Sequence, residues 1–478
     1  MVGAGISGLA LGYELLQRGV EPLVLEREAR AGGKLESRRE GGFLLESGAA
    51  GFLDRAPAIA RLIGEIGLEP RLVDARPEAS RRAVAVDGAL HEVPRGPGAL
   101  VVSSLLSTGG KLRLLGDLLL PRGGDEEDEP VAAFARRRLG REAAERIFFP
   151  LVSGLYAGDP ERISLASAFP FIAGLERRHR SLILGAARER SRARGLGRLR
   201  TFKDGMEELP RALAARLGAR LRVGAAVRRL SPRAGGGWTI AFEDRGDQVE
   251  VSAPSVALAL PAHAAAPLVA PFSPRSAEAA SQIGYVPVAL VYLGYRAGQL
   301  ARPPALYGFL TARHEATQLL GAVISSTVFP GRAPDGEVLI SARLGGARHP
   351  AALALDDARL AALAHRELAA LLSIRGAPIA SHLVRHSRAL PQYTLGHAAR
   401  VAQLDAAERE WPGLYFTGSA YRGIGVPDCL AEAARCAEEI ALREEPAPMP
   451  AISTAAPGHA AFTPTGSPTV NRARSRRA

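Results

Sequence analysis

With 478 residues, 47% hydrophobic and 23% charged, the chain is long enough for two or three domains and has an ordinary globular composition, which excludes disordered and fibrous classes. Its two cysteines, Cys429 and Cys436, stand seven apart and make neither a metal motif nor a disulfide framework, so they are expected to be apolar side chains packed in a helix face in a reducing compartment. The net charge of +12 is carried almost wholly by arginine, four of them in the last seven residues; with no basic helix or aromatic-interleaved patch it does not indicate nucleic acid, leaving codon bias, anionic lipid or an acidic small molecule as its origin.

Along the chain, Met1–Leu25 reads as turn, helix and strand. Residues 56–200 are mostly helical in pattern, with an acidic loop in PRGGDEEDEP. From 201 to 261 a helix is followed by strands (LRVGAAVRRL, GWTIAFE, VSAPSVALAL). Strand-rich VPVALVYLGY and EVLISARLGG come next, then a helix over 356–372, and finally strand, glycine turn and helix in GLYFTGSAYRGIGVPDCLAEAARCAEEIAL. Residues 446–478 are Pro/Ala/Ser/Thr-rich and aperiodic, and read as a disordered tail. No basic leader precedes the first glycines, and no apolar run reaches the roughly 18–20 residues of a spanning helix. The best stretch, 251–272, is broken by Pro254, Pro261, His263 and Pro267. The expected location is the cytoplasm, with peripheral contact at the inner face of the cell membrane and a homodimer both left open.

Gly3-Ala4-Gly5-Ile6-Ser7-Gly8 is a G-x-G-x-x-G followed by a helix and a strand that ends at Glu26, 21 residues past Gly5. Glycines there give a tight turn and close approach of the backbone to a diphosphate, the helix N-terminus adds free N–H groups, and the carboxylate can take ribose hydroxyls. The strand that should precede Gly3 is only Met1-Val2; either the start lies a few residues late, which is the favoured reading, or the strand is truncated. Near the C-terminus, Gly423-Ile424-Gly425-Val426-Pro427-Asp428 leads into the last helix, whose N-terminus would stabilise negative charge on a reduced flavin ring.

The pair Gly32-Gly33, within Arg30–Lys34 and followed by GGFLLESGAAGF, resembles the flavin-containing amine oxidase superfamily, which implies FAD. Within it, FPLVSGLYAGDPERISLASAFP (149–170) closely resembles the protoporphyrinogen oxidase family, as do FARRRLGREAAERI, TFKDGMEELPRAL, LPQYTLGH and YRGIGVPDCLAEA. The resemblance spans residues 1–443. It implies an α/β (α+β) fold in three parts. A Rossmann-like FAD-binding domain is built from 1–60, 200–262 and 396–445, a mixed-sheet substrate domain from 263–395 is inserted in it, and 61–199 forms a mainly helical, substrate- and membrane-facing subdomain.

It further implies that FAD is held by Gly3, Ala4, Gly5, Ile6, Ser7, Gly8, Glu26, Arg27, Gly33, Lys34, Gly48, Ala49, Ala50, Gly51, Val227, Gly418, Ser419, Ile424, Gly425 and Val426. For substrate it points to Arg82 on a propionate, Gly154 near the reacting carbon, and Tyr307, Gly308 and Leu310 sandwiching a tetrapyrrole. Arg343 stands where the family usually has an apolar residue; it is either a solvent-facing strand residue or a second carboxylate contact.

The activity implied is six-electron oxidation of protoporphyrinogen IX to protoporphyrin IX in haem biosynthesis, with oxygen the default acceptor and a quinone the other. Coproporphyrinogen III oxidation is the alternative; a carotenoid desaturase, an amine oxidase or a non-catalytic tetrapyrrole carrier are further ones. No catalytic acid, base or metal ligand is identified, and His397 and Tyr393 read as structural members of the PQYTLGH turn. Catalysis would then rest on positioning.

Overall fold

A computed structural model describes residues 1–54, 56–121, 123, 128–189, 197–301, 304–444 and 471–472. Short apolar segments from three distant parts of the chain lie side by side in a parallel sheet. The order is Leu221–Val223, Val24–Glu26, Val2, Val256–Leu258, Leu414–Phe416. The sheet is buried on both faces, as runs of apolar residues in a parallel sheet require. On one side lie the helices Ile6–Gln17, Glu208–Leu217 and Val426–Glu444, packed through Leu9, Leu213, Ala433 and Cys436. On the other lie the antiparallel strands Ala225–Pro232, Trp238–Asp244 and Asp247–Ala253, with the helix Ala262–Val269, packed through Trp238, Phe242 and Ala265.

The short strand expected before Gly3 is as short in the fold. Val2 alone forms the central rung. It donates to the Ala257 carbonyl (2.9 Å), its own carbonyl accepts from Ala259 (2.9 Å), and Gly3 donates to Leu25 (2.8 Å). These bonds tie both halves of the sheet to the start of the glycine loop, the position where strand order reverses and α/β sheets bind ligands.

A second, seven-stranded mixed sheet runs Ala380–Pro391, Tyr285–Arg296, Glu337–Gly345, Leu319–Val323, Gly308–Thr311, Arg82–Val86, Ala89–Glu92. All neighbours are antiparallel except Gly308–Thr311 with Arg82–Val86. Alternation divides its faces. Val338, Ile340, Ala342 and Leu344 pack under the helix Asp357–Leu372, while Leu339 faces Phe43 and Leu45. The stretch 61–199 thus carries strands as well as helices, since Arg82–Val86 and Ala89–Glu92 complete the edge of this sheet.

The helical remainder is centred on Arg138, which is fully buried. Its guanidinium pairs with Asp117 at 2.5 Å and donates to the carbonyls of Pro121 (2.8 Å) and Arg180 (2.5 Å). Among the described residues no helix is long and apolar enough to cross a membrane. The tail expected to be disordered lies outside the described residues, apart from Asn471–Arg472, which pair with Val249 and Glu250.

Candidate functional site

The three glycines of the first loop do different things. Gly3 has φ +98, and a Cβ there would stand 2.6 Å from the Ala259 carbonyl oxygen. At Gly8 a Cβ would run into the carbonyl of Gly3, so helix and strand approach as closely as they do only because that residue has no side chain. Gly5 is the N-cap of Ile6–Gln17 with ordinary φ −67, and no atom lies within 4 Å of where its Cβ would be. That helix start has no side-chain cap and no acidic residue in its first turn. The free N–H groups and the open space above Gly5 fit a diphosphate.

Glu26 accepts from the N–H of Ala4 (2.7 Å) and of Glu28 (3.0 Å), which fixes its carboxylate beside the loop. Gly32 donates to Ala4 (2.8 Å), so the second glycine pair backs onto the first loop, and Arg30 holds the Gly33 carbonyl (2.6 Å). Lys34 reaches across to the carbonyls of Arg388 (3.0 Å) and Ala389, and burial lowers its amine to about 8. Arg27 stays exposed and pairs with Glu28 (2.9 Å). Val227 is half-buried at the bulge of its strand, which follows the edge of the parallel sheet next to Glu26.

Gly48 and Gly51 pack on backbone. A Cβ at Gly51 would stand 2.7 Å from the Arg200 carbonyl, and one at Gly48 would strike the carbonyl of Lys34. Behind Gly48-Ala49-Ala50-Gly51 lies a buried ion pair that sequence reading missed. Glu46 and Arg332, each side chain 3% exposed, meet at 2.5 Å. Glu46 also accepts from Ser37 Oγ (2.6 Å) and Met206 N–H (3.0 Å), while Arg332 donates to Thr201 Oγ1 (2.6 Å) and the Ala50 carbonyl (3.4 Å). Burial pushes the Glu46 carboxyl up, against the pull of Arg332 and Ser37. We take the pair as ionised, because three donors, Arg332, Ser37 Oγ and the Met206 N–H, converge on the carboxylate.

The C-terminal motif meets the first loop. Gly418 (φ +125) lies beside Ser7, with its absent Cβ 3.8 Å from Ser7 Oγ, and the neighbouring Thr417 Oγ1 is buried without a protein partner. Asp428 accepts from Gly425 N–H (3.1 Å) and so shapes the turn Gly423–Val426 before the helix Val426–Glu444. Tyr393 ties this turn together. Its hydroxyl donates to the Ser419 carbonyl and accepts from Gly423 N–H, both at 2.8 Å. His397 stacks on Tyr393, ring centroids 4.0 Å apart, and donates through Nε2 to the Tyr421 carbonyl (2.9 Å). Burial holds His397 neutral and pushes the Tyr393 phenol above its ordinary range, and both rings are engaged by backbone of this turn. Cys429 and Cys436 are buried in the last helix, and burial raises Cys429 to about 11. An orphaned buried hydroxyl, an uncapped helix start and a glycine cradle with open space all suit a flavin dinucleotide.

Of the substrate residues expected from sequence, Arg82, Leu310 and Arg343 lie on one face of the large sheet. Arg82 is paired across the parallel ladder with Gly308, and its guanidinium sits 5.2 Å from the Tyr307 ring. Its neighbour Arg81 is already paired with Glu92 (2.9 Å). Leu310 packs onto Gly154, where a Cβ would stand 2.6 Å from Leu310 Cδ2. Arg343 is not solvent-facing. It is half-buried, and its Nη1 donates to the Gly154 carbonyl at 2.8 Å. Gly154 belongs to the helix Phe149–Tyr156, and Gln392 holds the Tyr156 carbonyl at its end (2.8 Å). Gln392 precedes Tyr393, so the helix joins the Arg82 face to the turn at Ser419.

The chain matches the family described as flavin containing amine oxidoreductase over residues 6–441. It is 30% identical to the coproporphyrinogen III oxidase of Bacillus subtilis (strain 168), covering 90% of this chain and 95% of that one. It is 33% identical to the protoporphyrinogen oxidase of Bos taurus, covering 93% and 98%. A solved structure from Exiguobacterium sp. 255-15 superposes with a TM-score of 0.79 at 26% identity, over 93% of this chain and 98% of that one. The chain is an FAD-dependent oxidoreductase that belongs to the flavin containing amine oxidoreductase family, and it is similar to protoporphyrinogen and coproporphyrinogen III oxidases.

Proposed function

We propose that this enzyme oxidises a porphyrinogen to the porphyrin with oxygen as acceptor, six hydrogens leaving the macrocycle as three O2 become three H2O2. The observation that carries the reading is the helix Phe149–Tyr156. Its Gly154 packs on Leu310 of the Arg82 face, and its C-terminal end is held by the Gln392-Tyr393 turn that also holds Ser419. Bound flavin supplies the two-electron acceptor for each of three rounds. The chain's own share is positional. Arg82 is a forked donor suited to a carboxylate, Tyr307 and Leu310 offer apolar surface, and the missing side chain of Gly154 lets the helix seat directly on Leu310. His397 and Tyr393 at the C-terminal turn are held in their neutral forms, so neither is tuned to move a proton at neutral pH.

Protoporphyrinogen IX is the substrate of the first reading. Coproporphyrinogen III is a second, favoured by the half-buried Arg343. Both are tested by mixing enzyme with each porphyrinogen and following porphyrin fluorescence and oxygen uptake. Porphyrin formed at one per three O2 supports the proposal; yellow, FAD-loaded protein that leaves both porphyrinogens untouched refutes it. Peripheral membrane contact has support in a set of exposed apolar side chains, Val101, Val102, Leu112, Leu115 and Leu119, 50–84% exposed with Lys111 beside them.

A further inference from the structure

Arg343 and Arg82 are two cations on one face of the large sheet with nothing of opposite charge to satisfy them. Among the described residues no carboxylate lies within 4.0 Å of either guanidinium. The register places them. Arg343 is level with Gly321, Gly321 with Leu310, and Leu310 with Val84; Arg82 lies two residues from Val84 on the same side of its strand. Three strand spacings of about 4.8 Å and a two-residue offset at about 3.3 Å per residue put their Cα atoms roughly 16 Å apart. The two do not converge. Arg82 is held over Tyr307 at the far edge, whereas Arg343 is held by the Gly154 carbonyl beneath the helix Phe149–Tyr156.

Arg343 uses one of its five N–H donors on Gly154. Its other nitrogens are not among the sealed polar atoms that lack a partner, and among the described residues no acceptor holds them, so they are open to solvent where the helix Phe149–Tyr156 meets the sheet. Its neighbours on that face are Leu290 and Gly321 across the ladders, Leu310 and Gly154 beyond them, and Ser341 two residues along its own strand. A charged group held there costs free energy unless an anion joins it. The anion that reaches this place on the reading above is a porphyrinogen.

Resting on that reading, we propose that Arg343 is a specificity-determining residue that takes a carboxylate on the macrocycle edge remote from the one Arg82 holds, and so selects a four-carboxylate porphyrinogen over a two-carboxylate one. Protoporphyrinogen IX carries its two propionates on adjacent rings and places vinyl groups on the other edge, where Arg343 finds no partner. Coproporphyrinogen III carries propionates on all four rings and satisfies both arginines.

The test compares kcat/KM for coproporphyrinogen III and protoporphyrinogen IX in the FAD-loaded enzyme and in Arg343→Met, Arg343→Gln and Arg343→Lys. Gln can still donate to the Gly154 carbonyl but carries no charge, so it separates a carboxylate contact from support of the helix. The ratio of coproporphyrinogen to protoporphyrinogen kcat/KM should fall roughly ten- to a hundredfold in Arg343→Met and in Arg343→Gln, the loss of one charge-assisted hydrogen bond, and less in Arg343→Lys. A wild-type ratio retained in Arg343→Gln, or equal losses on both substrates in all three variants, overturns the role of Arg343. Failure of the unmodified enzyme on both porphyrinogens would instead remove the reading on which it rests.

Discussion

Gly5 and Gly3 of the loop should respond to alanine in opposite ways in apoprotein and holoprotein. Gly5 has φ −67 and ψ 179, which alanine adopts, and nothing lies within 4 Å of the added methyl. The loss at an N-cap and the gain from a stiffer unfolded chain nearly offset, so Gly5→Ala should change apoprotein stability by no more than about 1 kcal/mol. The methyl stands in the space over the helix start, where a diphosphate would accept from free N–H groups. Loss of one or two charge-assisted bonds at about 1.5–3 kcal/mol each weakens FAD by about tenfold to ten-thousandfold. At Gly3 the positive φ of +98 costs about 1–2 kcal/mol, and crowding against the Ala259 carbonyl at 2.6 Å adds about 1–3 kcal/mol. Gly3→Ala should therefore damage the apoprotein itself. The assay is thermal melting of each apoprotein together with FAD titration followed by flavin fluorescence. FAD affinity within threefold of the unmodified chain in Gly5→Ala would refute the placement of the diphosphate, as would an apoprotein melting point lowered as far as in Gly3→Ala.

Arg82→Ala should raise KM for a porphyrinogen far more than it lowers kcat, and an unchanged KM would remove its carboxylate role. Arg332→Met leaves Glu46 buried without its counter-ion and should cost about 3–5 kcal/mol, measured by denaturant unfolding, with FAD released at lower denaturant than in the unmodified chain. Glu408 is half-buried, accepts from Phe416 N–H at 2.7 Å, and is raised to about 7 by the loss of water around it. The folded state therefore binds its proton more tightly than the unfolded chain, and stability from this group is full below about pH 4.5 and is lost as pH rises to about 7. That loss, on the order of 3 kcal/mol, should be missing from Glu408→Gln when unfolding is measured across the window. Replacing Val102 and Leu119 with Asp should lower co-sedimentation with anionic lipid vesicles, and equal binding would speak against these helices as the contact.

Much of the flavin cradle was legible because its parts are local. The tight turn Gly3–Gly8, the acid at Glu26 and the turn at Gly423–Asp428 each sit within a few residues of a strand end or helix start, where backbone geometry dictates residue type. The strands of 285–296 and 337–345 and the helix of 357–372 were readable from periodicity for the same reason. The segment 82–92 escaped that treatment. It is short, lies amid helical patterns, and becomes a sheet edge only because Gly308–Thr311 lines up beside Arg82–Val86 from more than two hundred residues away. Glu46 and Arg332 are separated by 286 positions, and neither carries a local signal that it will be buried; only the acid inside GGFLLESGAAGF hints at it.

Arg343 shows where the boundary falls. The alternation in EVLISARLG already puts it on the same side as Leu339 and Ser341 and opposite Val338, Ile340 and Ala342. What the pattern does not contain is which side the helix Asp357–Leu372 covers. With that helix over Ile340 and Ala342, the arginine faces the opposite side and meets Gly154. A one-residue slip of this strand would bury the charge under the helix instead. The same bond to Gly154 explains how a charge is tolerated in the middle of the sheet: it closes one orphan carbonyl in the last turn of the helix Phe149–Tyr156, where a cation is favoured.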